Sequence, residues 1–254
     1  MTVNIESKDN PKIKYAMKAA DDRTFRRKEG VFFASTSKVV SDILDFGFEH
    51  KMIFVSSDVR EKHMDKMPRE NVFIISRRVR DKLSEGKTED GVYAVFSTRS
   101  VRAEKVLESE KLLVLQDVQD PGNMGAIMRT ALAFGFENAV VTRGCADVYS
   151  RKVIRSSMTA SVKMNVLKVD DLAAFTADLS KRGFCTVASC LEGAKELGEE
   201  KIPRPVALYI GNEGQGLGRD VIAACEKRVK IPMSGKIESL NAAVSAAILM
   251  WELK

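Results

Sequence analysis

The segment Ile231-Pro-Met-Ser-Gly-Lys-Ile-Glu-Ser239-Leu-Asn241 runs straight into the Ala-rich apolar stretch Ala242-Ala-Val-Ser-Ala-Ala-Ile-Leu-Met-Trp251. It sets turn-forming and polar residues, with their backbone groups uncovered, against the start of a buried helix. A small polar ligand can be held at such a junction by main-chain amides and carbonyls. The small residues behind it permit close helix packing, and the apolar ones suit either an interface or an intradomain core.

Two earlier segments carry complementary groups. Asn123-Met-Gly-Ala-Ile-Met-Arg129-Thr-Ala-Leu-Ala-Phe-Gly135 places an amide and a guanidinium at opposite ends of a loop-to-helix junction. Tyr209-Ile-Gly211-Asn-Glu213-Gly-Gln-Gly-Leu217 follows a strand with a glycine-rich turn carrying one carboxylate. The glycine order is not the G-x-G-x-x-G of a dinucleotide fingerprint, and no Gly-Lys-Ser/Thr phosphate loop is present, so redox and nucleotide-hydrolysis classes drop out. Both histidines, His50 and His63, fall in the first hundred residues, leaving the second half none for a triad or a metal site. Cys145, Cys185, Cys190 and Cys225 show no C-x-x-C spacing, which suits a reducing cytoplasm. Neither a leader nor a membrane span is read, and a soluble, unprocessed protein is expected.

A chain of 254 residues with 44% hydrophobic content accommodates two modest domains. In the first, the pattern predicts helices at 11–20 and 37–46 and strands at 30–34, 51–55, 72–75 and 91–96. The charged segment 98–110 reads as a linker, giving domains 1–97 and 111–254. Strands near 112–115, 139–141, 163–167, 184–188, 206–210 and 229–231 then alternate with helices near 125–134, 150–158, 172–182, 220–226 and 240–253. This α/β rhythm implies a mostly parallel sheet with helices on both faces. The net charge of +6 is a mild basic bias, but its clusters are local: Arg23, Arg26, Arg27 and Lys28; Arg77, Arg78, Arg80 and Lys82; Arg151, Lys152 and Arg155. Phosphate backbones are the natural partner of such clusters, and a solvated surface is the ordinary alternative.

In order and separation, the three segments resemble the three signature motifs of the SpoU branch of the SPOUT superfamily, the S-adenosylmethionine-dependent RNA 2'-O-ribose methyltransferases. The resemblance implies a C-terminal SPOUT domain with a parallel sheet and a deep trefoil knot. It implies S-adenosylmethionine as methyl donor, with no metal, gripped by backbone groups at Gly211, Ile231 and Leu240, with Met233 and the turn at 188–191 beside it. Glycine at 211 lets the main chain approach a ligand closely. Arg129 is the implied catalytic residue, as proton acceptor assisted by an RNA phosphate or as a clamp on that phosphate. Asn123 is implied to touch the ribose or Arg129, Glu213 to anchor Arg129 or the substrate, and Ser239 and Asn241 to contact substrate or donor and hold Arg129 in place. Each also has a structural reading: Asn123 or Ser239 as a helix cap, Glu213 as charge at a helix start, Arg129 as a surface residue.

The first hundred residues resemble the small L30e-like α/β RNA-binding domain of such enzymes, through the Asn10-Pro11-Lys12-Ile13-Lys14 opening, the basic segment before Gly30 and the order of elements. Ser35-Thr36 stands where that family often has Glu-Gly. Arg23, Arg26, Arg27 and Lys28 are the expected RNA contacts. Ribosomal RNA, of the large (23S) subunit, is favoured over tRNA because a separate domain precedes the catalytic one. A homodimer through the knot region is implied. The competing readings are a tRNA 2'-O-methyltransferase and a non-catalytic RNA-binding or ribosome-assembly protein.

Overall fold

A computed structural model describes residues 3–86 and 89–254. In chain order the elements are β1 (Val3–Ile5), α1 (Pro11–Asp21), α2 (Arg23–Glu29), β2 (Val31–Ser35), α3 (Ser37–Asp45), β3 (His50–Ser56), α4 (Arg60–His63), β4 (Val72–Ile75), α5 (Arg77–Leu83) and β5 (Val92–Ser97). They continue as α6 (Ala103–Leu107), β6 (Lys111–Leu115), α7 (Pro121–Ala133), β7 (Asn138–Val141), α8 (Arg151–Ser156), α9 (Ala160–Lys163), β8 (Asn165–Lys168) and α10 (Leu172–Lys181). Then come β9 (Cys185–Ser189), β10 (Lys195–Glu196), β11 (Val206–Ile210), α11 (Arg219–Ala224), β12 (Lys227–Lys230) and α12 (Ala242–Glu252). Two compact units result: residues up to Ser100 together with Tyr149–Val162, and Val101–Val148 together with Lys163–Lys254.

The first unit holds a five-stranded sheet in the order β1-β4-β3-β5-β2. Strands β2, β4 and β5 are almost uniformly buried, and two apolar clusters cover the sheet's faces. The edge strand β1 and the helices α2 and α5 are additions to the sequence reading. In α2 and α5 the basic residues that read as surface clusters sit on short helices capped by Asp22 and Ser76. Thr36 lies at φ 77°, a left-handed conformation that suits the glycine expected there, and still caps α3 through its hydroxyl.

The expected boundary at residue 111 shifts in two ways. The segment read as a linker carries α6, whose Val106 is fully buried in the second unit's core. More consequentially, Tyr149–Val162, which lies within the expected second domain, packs with the first unit. Ile154 and Val162 enter the same apolar cluster as Phe32 and Phe96, and Tyr149 stacks on Phe32 with ring centroids 5.2 Å apart. Arg151 is buried there, its guanidinium 4.2 Å above the Phe33 ring and donating to the Leu83 carbonyl at 2.7 Å. Arg155 Nη2 donates to Glu89 Oε1 at 2.7 Å, and that carboxylate also accepts from the Ser35 hydroxyl at 3.1 Å. The third basic cluster is thus partly structural: a buried guanidinium needs acceptors and a buried carboxylate needs a cation.

Arg26 is also turned inward. It is buried and donates to the carbonyls of Ala19 and Ala20 at 3.1 and 2.7 Å, satisfying backbone acceptors at the end of α1. This corrects its reading as an RNA contact; Arg27 and Lys28 remain exposed.

The second unit is a seven-stranded, wholly parallel sheet in the order β10-β12-β9-β11-β6-β7-β8. Its central strands are continuous apolar runs, as burial on both faces requires. The closing helix begins at Ala242 with Asn241 as its cap, two residues beyond the expected start, so 231–241 is irregular throughout.

Candidate functional site

The three motif segments meet at the carboxyl ends of β6, β11 and β12, the edge at which parallel α/β sheets hold ligands. The first motif begins where β6 stops. Asp117 sits at φ 52°, with its backbone amide donating to the Thr142 hydroxyl at 2.9 Å while that hydroxyl donates to its carboxylate at 2.6 Å. Gly144 is required beside it, since a Cβ there would overlap the Asp117 carboxylate. Asp120 then caps α7 by accepting from the Asn123 amide at 2.7 Å, with Pro121 at the first helical position.

The second motif is a tight turn after β11. Asn212 and Gly216 exchange backbone hydrogen bonds at 3.0 and 2.9 Å. A Cβ on Gly211 would overlap the backbone of Gly216 and Leu217, so the turn's own closure already demands glycine there. Asn212 is a residue that motif reading passed over. Its Oδ1 accepts from the amides of Gly214 and Gln215 at 2.9 and 3.0 Å, and its Nδ2 donates to the Asp117 carbonyl at 2.8 Å, tying the turn to the end of β6. Gln116 adds a second tie by accepting from the Gly218 amide at 2.8 Å. The available signal was chemical: an Asn directly before the carboxylate in a glycine turn is a common internal turn brace.

That bracing sets Glu213 against the first motif. Its carboxylate accepts from the backbone amides of Gln119 and Asp120 at 3.3 and 3.2 Å and from Asn123 Nδ2 at 3.0 Å. Partial burial works to raise its pKa, but the bonds from Asn123 and the backbone amides outweigh that and hold it below the ordinary glutamate value. Asn123 Oδ1 accepts from Asn241 Nδ2 at 2.9 Å, while Asn241 Oδ1 caps α12 through the amides of Ala243 and Val244. One chain of side-chain hydrogen bonds, Glu213 to Asn123 to Asn241, therefore joins all three segments.

Arg129 and Ser239 are not drawn into it. Arg129 lies six residues beyond Asn123 on α7, about 120° away around the helix. It is exposed, and among the described residues it has no hydrogen-bond or ion-pair partner. Glu213 and Asn241 thus hold Asn123, not the arginine expected from the resemblance. Ser239 is exposed on the loop before α12.

The residues expected to hold the donor follow adjacent strands: Cys190 and Leu191 after β9, Gly211 after β11, and Ile231 and Met233 after β12, which pairs with β9. Ile231, Met233 and Leu240 are half-buried, while Leu191 and Ile237 leave apolar side chains uncovered. Half-buried and uncovered apolar side chains following the ends of neighbouring strands suit a small, partly apolar ligand. Among the described residues no grouping of His, Cys, Asp and Glu suits a metal ion. A cavity of about 620 Å³ lies elsewhere, lined by residues such as Glu196, Lys201, Arg204 and Leu253, and contains none of the motif residues. No helix among the described residues is long and apolar enough to cross a membrane.

Comparison with known proteins gives this geometry a relationship. The family model described as the SpoU rRNA methylase family matches residues 110–251, and that of the MRM3-like substrate binding domain matches residues 10–94. The 23S rRNA (guanosine(2553)-2'-O)-methyltransferase RlmP of Bacillus subtilis is 28% identical over 250 residues, covering 98% of each chain. An uncharacterised tRNA/rRNA methyltransferase of Synechocystis is 31% identical over 182 residues, 72% of this chain and just under two thirds of that protein. The crystal structure of an AdoMet-bound rRNA methyltransferase from Sinorhizobium meliloti shares the fold, with a TM-score of 0.86 at 23% identity over 99% of this chain and 97% of that one. With three motif segments bonded to one another on a parallel sheet and a family model spanning more than half its length, the chain belongs to the SpoU RNA methylase family.

Proposed function

We propose that this protein transfers a methyl group from S-adenosylmethionine to a ribose 2'-hydroxyl of RNA, with large-subunit ribosomal RNA as its substrate class. The observation that carries the reading is the bonded series Glu213–Asn123–Asn241, which holds three segments distant in sequence at one ligand-binding edge. Its full-length similarity to a 23S rRNA 2'-O-methyltransferase supports both the ribose and the ribosomal assignment.

S-adenosylmethionine supplies a methyl already activated on its sulfonium, so positioning is the protein's main contribution. Gly211, Ile231, Met233 and Leu240 are read as the donor's seat, through backbone groups and half-buried apolar side chains. The exposed guanidinium of Arg129 shares its charge with no carboxylate among the described residues, which favours the phosphate clamp over the base: a guanidinium keeps its proton and grips phosphate bidentately. Asn123, its amide fixed at both ends, and Ser239 line the approach to the donor.

The loop 231–241 leaves β12 and is tied to Asn123 on α7 through Asn241, and we read the C-terminal segment beyond β12 as the knotted one. Val244, Ile248 and Trp251 expose an apolar stripe at four- and three-residue spacing on α12, and we read it as the face of a homodimer. A cytoplasmic site of action suits the four free cysteines.

The test is transfer of labelled methyl to separated ribosomal and transfer RNA from cells lacking the protein. Incorporation is expected in the ribosomal fraction, recovered as 2'-O-methyl nucleoside. Arg129→Ala is expected to abolish it while leaving donor affinity within about twofold, because other loops hold the donor. Incorporation into transfer RNA alone, or donor affinity lost with Arg129, overturns the corresponding part of the reading. Absence of both transfer and donor binding leaves a non-catalytic RNA-binding protein.

A further inference from the structure

The basic residues of the first unit divide into those committed to its interior and those left to act outward. Arg26, Arg151 and Arg155 are held by carbonyls, a ring or the buried Glu89. Arg80 is held by Asp58 at 2.6 Å. A different group converges where the turn after β1 meets α5. Lys82 Nζ donates to the Lys8 carbonyl at 3.0 Å, and Lys14 pairs with Asp9 at 3.2 Å. The Asp9 carboxyl is held below its ordinary range first by Lys14, then by the fields of Lys82 and Arg78. Lys12 extends the group across the Phe73 ring, 4.9 Å from its centroid.

Resting on the reading of this chain as an RNA methyltransferase, we propose that the face built by Lys8, Lys12, Lys14, Arg78 and Lys82 is where the first unit docks the phosphate backbone of its RNA. Lys14, Lys82 and Arg78 all act on the Asp9 carboxylate, and with Lys8 and Lys12 these five cations outnumber the exposed carboxylates Asp9, Glu6 and Asp81 around them, so positive charge is left in surplus. That surplus is unfavourable in the free protein and is relieved when phosphates enter and counterions leave. Arg78 and Lys82, four residues apart on α5, lie on one side of that helix, while Lys12 and Lys14 on the first turn of α1 flank the buried Ile13, one to either side. Cations spread over two helices suit a polyanion, whose charges are also spread, better than a single small anion. The α2 cluster is the weaker candidate because its central arginine faces inward and Glu29 and Asp22 flank it.

The test measures binding of the full chain to a 23S rRNA transcript over a range of salt concentrations. Lys12→Gln/Lys14→Gln/Arg78→Gln is compared with Arg27→Gln/Lys28→Gln, with thermal unfolding and donor affinity checked on both. The triple variant is expected to bind at least about tenfold more weakly near physiological salt, with a slope of log affinity against log salt shallower by about 2–3. The double variant should change affinity by less than about twofold. Wild-type affinity and slope in the triple variant, with methyl transfer intact in the parent, overturn this face alone. Loss in the double variant instead moves the docking surface to α2. A parent chain that binds no RNA overturns the enzymatic reading with it.

Discussion

Asn123 shows how much one side chain's surroundings add to its identity. Its amide gives a hydrogen to Glu213 and takes one from Asn241, so all three residues are oriented by their neighbours before any substrate arrives. The consequence for Glu213 can be measured. Its carboxyl is depressed in the folded state, so its contribution to stability is complete above the ordinary glutamate range and is lost as pH falls through that range and below. Glu213→Gln should therefore flatten the dependence of unfolding free energy on acid from the ordinary glutamate range, about pH 4–5, downward, and leave only a constant offset at higher pH. An unchanged acid profile in denaturant titrations would remove Glu213 from its hydrogen bonds. The five motif residues were picked out by their resemblance to the family's motifs, and the structure joins three of them, Glu213, Asn123 and Asn241. Their partners were not legible in sequence. Sequence supplies a carboxylate and a guanidinium, and opposite charge suggests pairing, but the helical turn between Asn123 and Arg129 decides which of them reaches Glu213.

At the level of elements, the parallel sheet was readable because strands buried on both faces are short apolar runs with little ambiguity of period. The expected strand 206–210 coincides with β11, and 112–115 with all of β6 but its first residue. Helices α2 and α5 were hidden by their charge: a run such as Arg77-Arg78-Val79-Arg80 reads as surface until the single buried Val79 is weighed against it. Arg26 and Arg151 escaped for a related reason, since a long aliphatic stem lets a guanidinium sit either in water or over a ring. Helix α8 depends on that second choice. Arg151→Met keeps the stem but removes the donors to the Leu83 carbonyl, and should cost about 1–3 kcal/mol of the first unit's stability. Urea unfolding followed on that unit checks it; a change within error would mean that water takes over the carbonyl.

On the scale of the molecule, assembly follows from α12. It packs along α7, with the Trp251 and Phe134 rings 5.7 Å apart, yet still exposes Val244, Ile248 and Trp251. Ile248→Glu/Trp251→Glu should convert the proposed dimer into a monomer at micromolar concentration, read by sedimentation velocity, and should reduce methyl transfer with it. A parent chain that sediments as a monomer would instead make the stripe an ordinary surface. The segment Tyr149–Val162 bears on a different question, the interchange of parts between related genes. Because fourteen residues from the middle of the chain complete the first unit's core, that unit is not a cassette that can be added or removed at one end. A chimaera exchanging only the leading hundred residues would inherit a core with a missing piece and a buried Glu89 without its cation. An exchange of the first unit would therefore have to bring two non-contiguous pieces, the second of them lying inside the stretch that the SpoU family model matches.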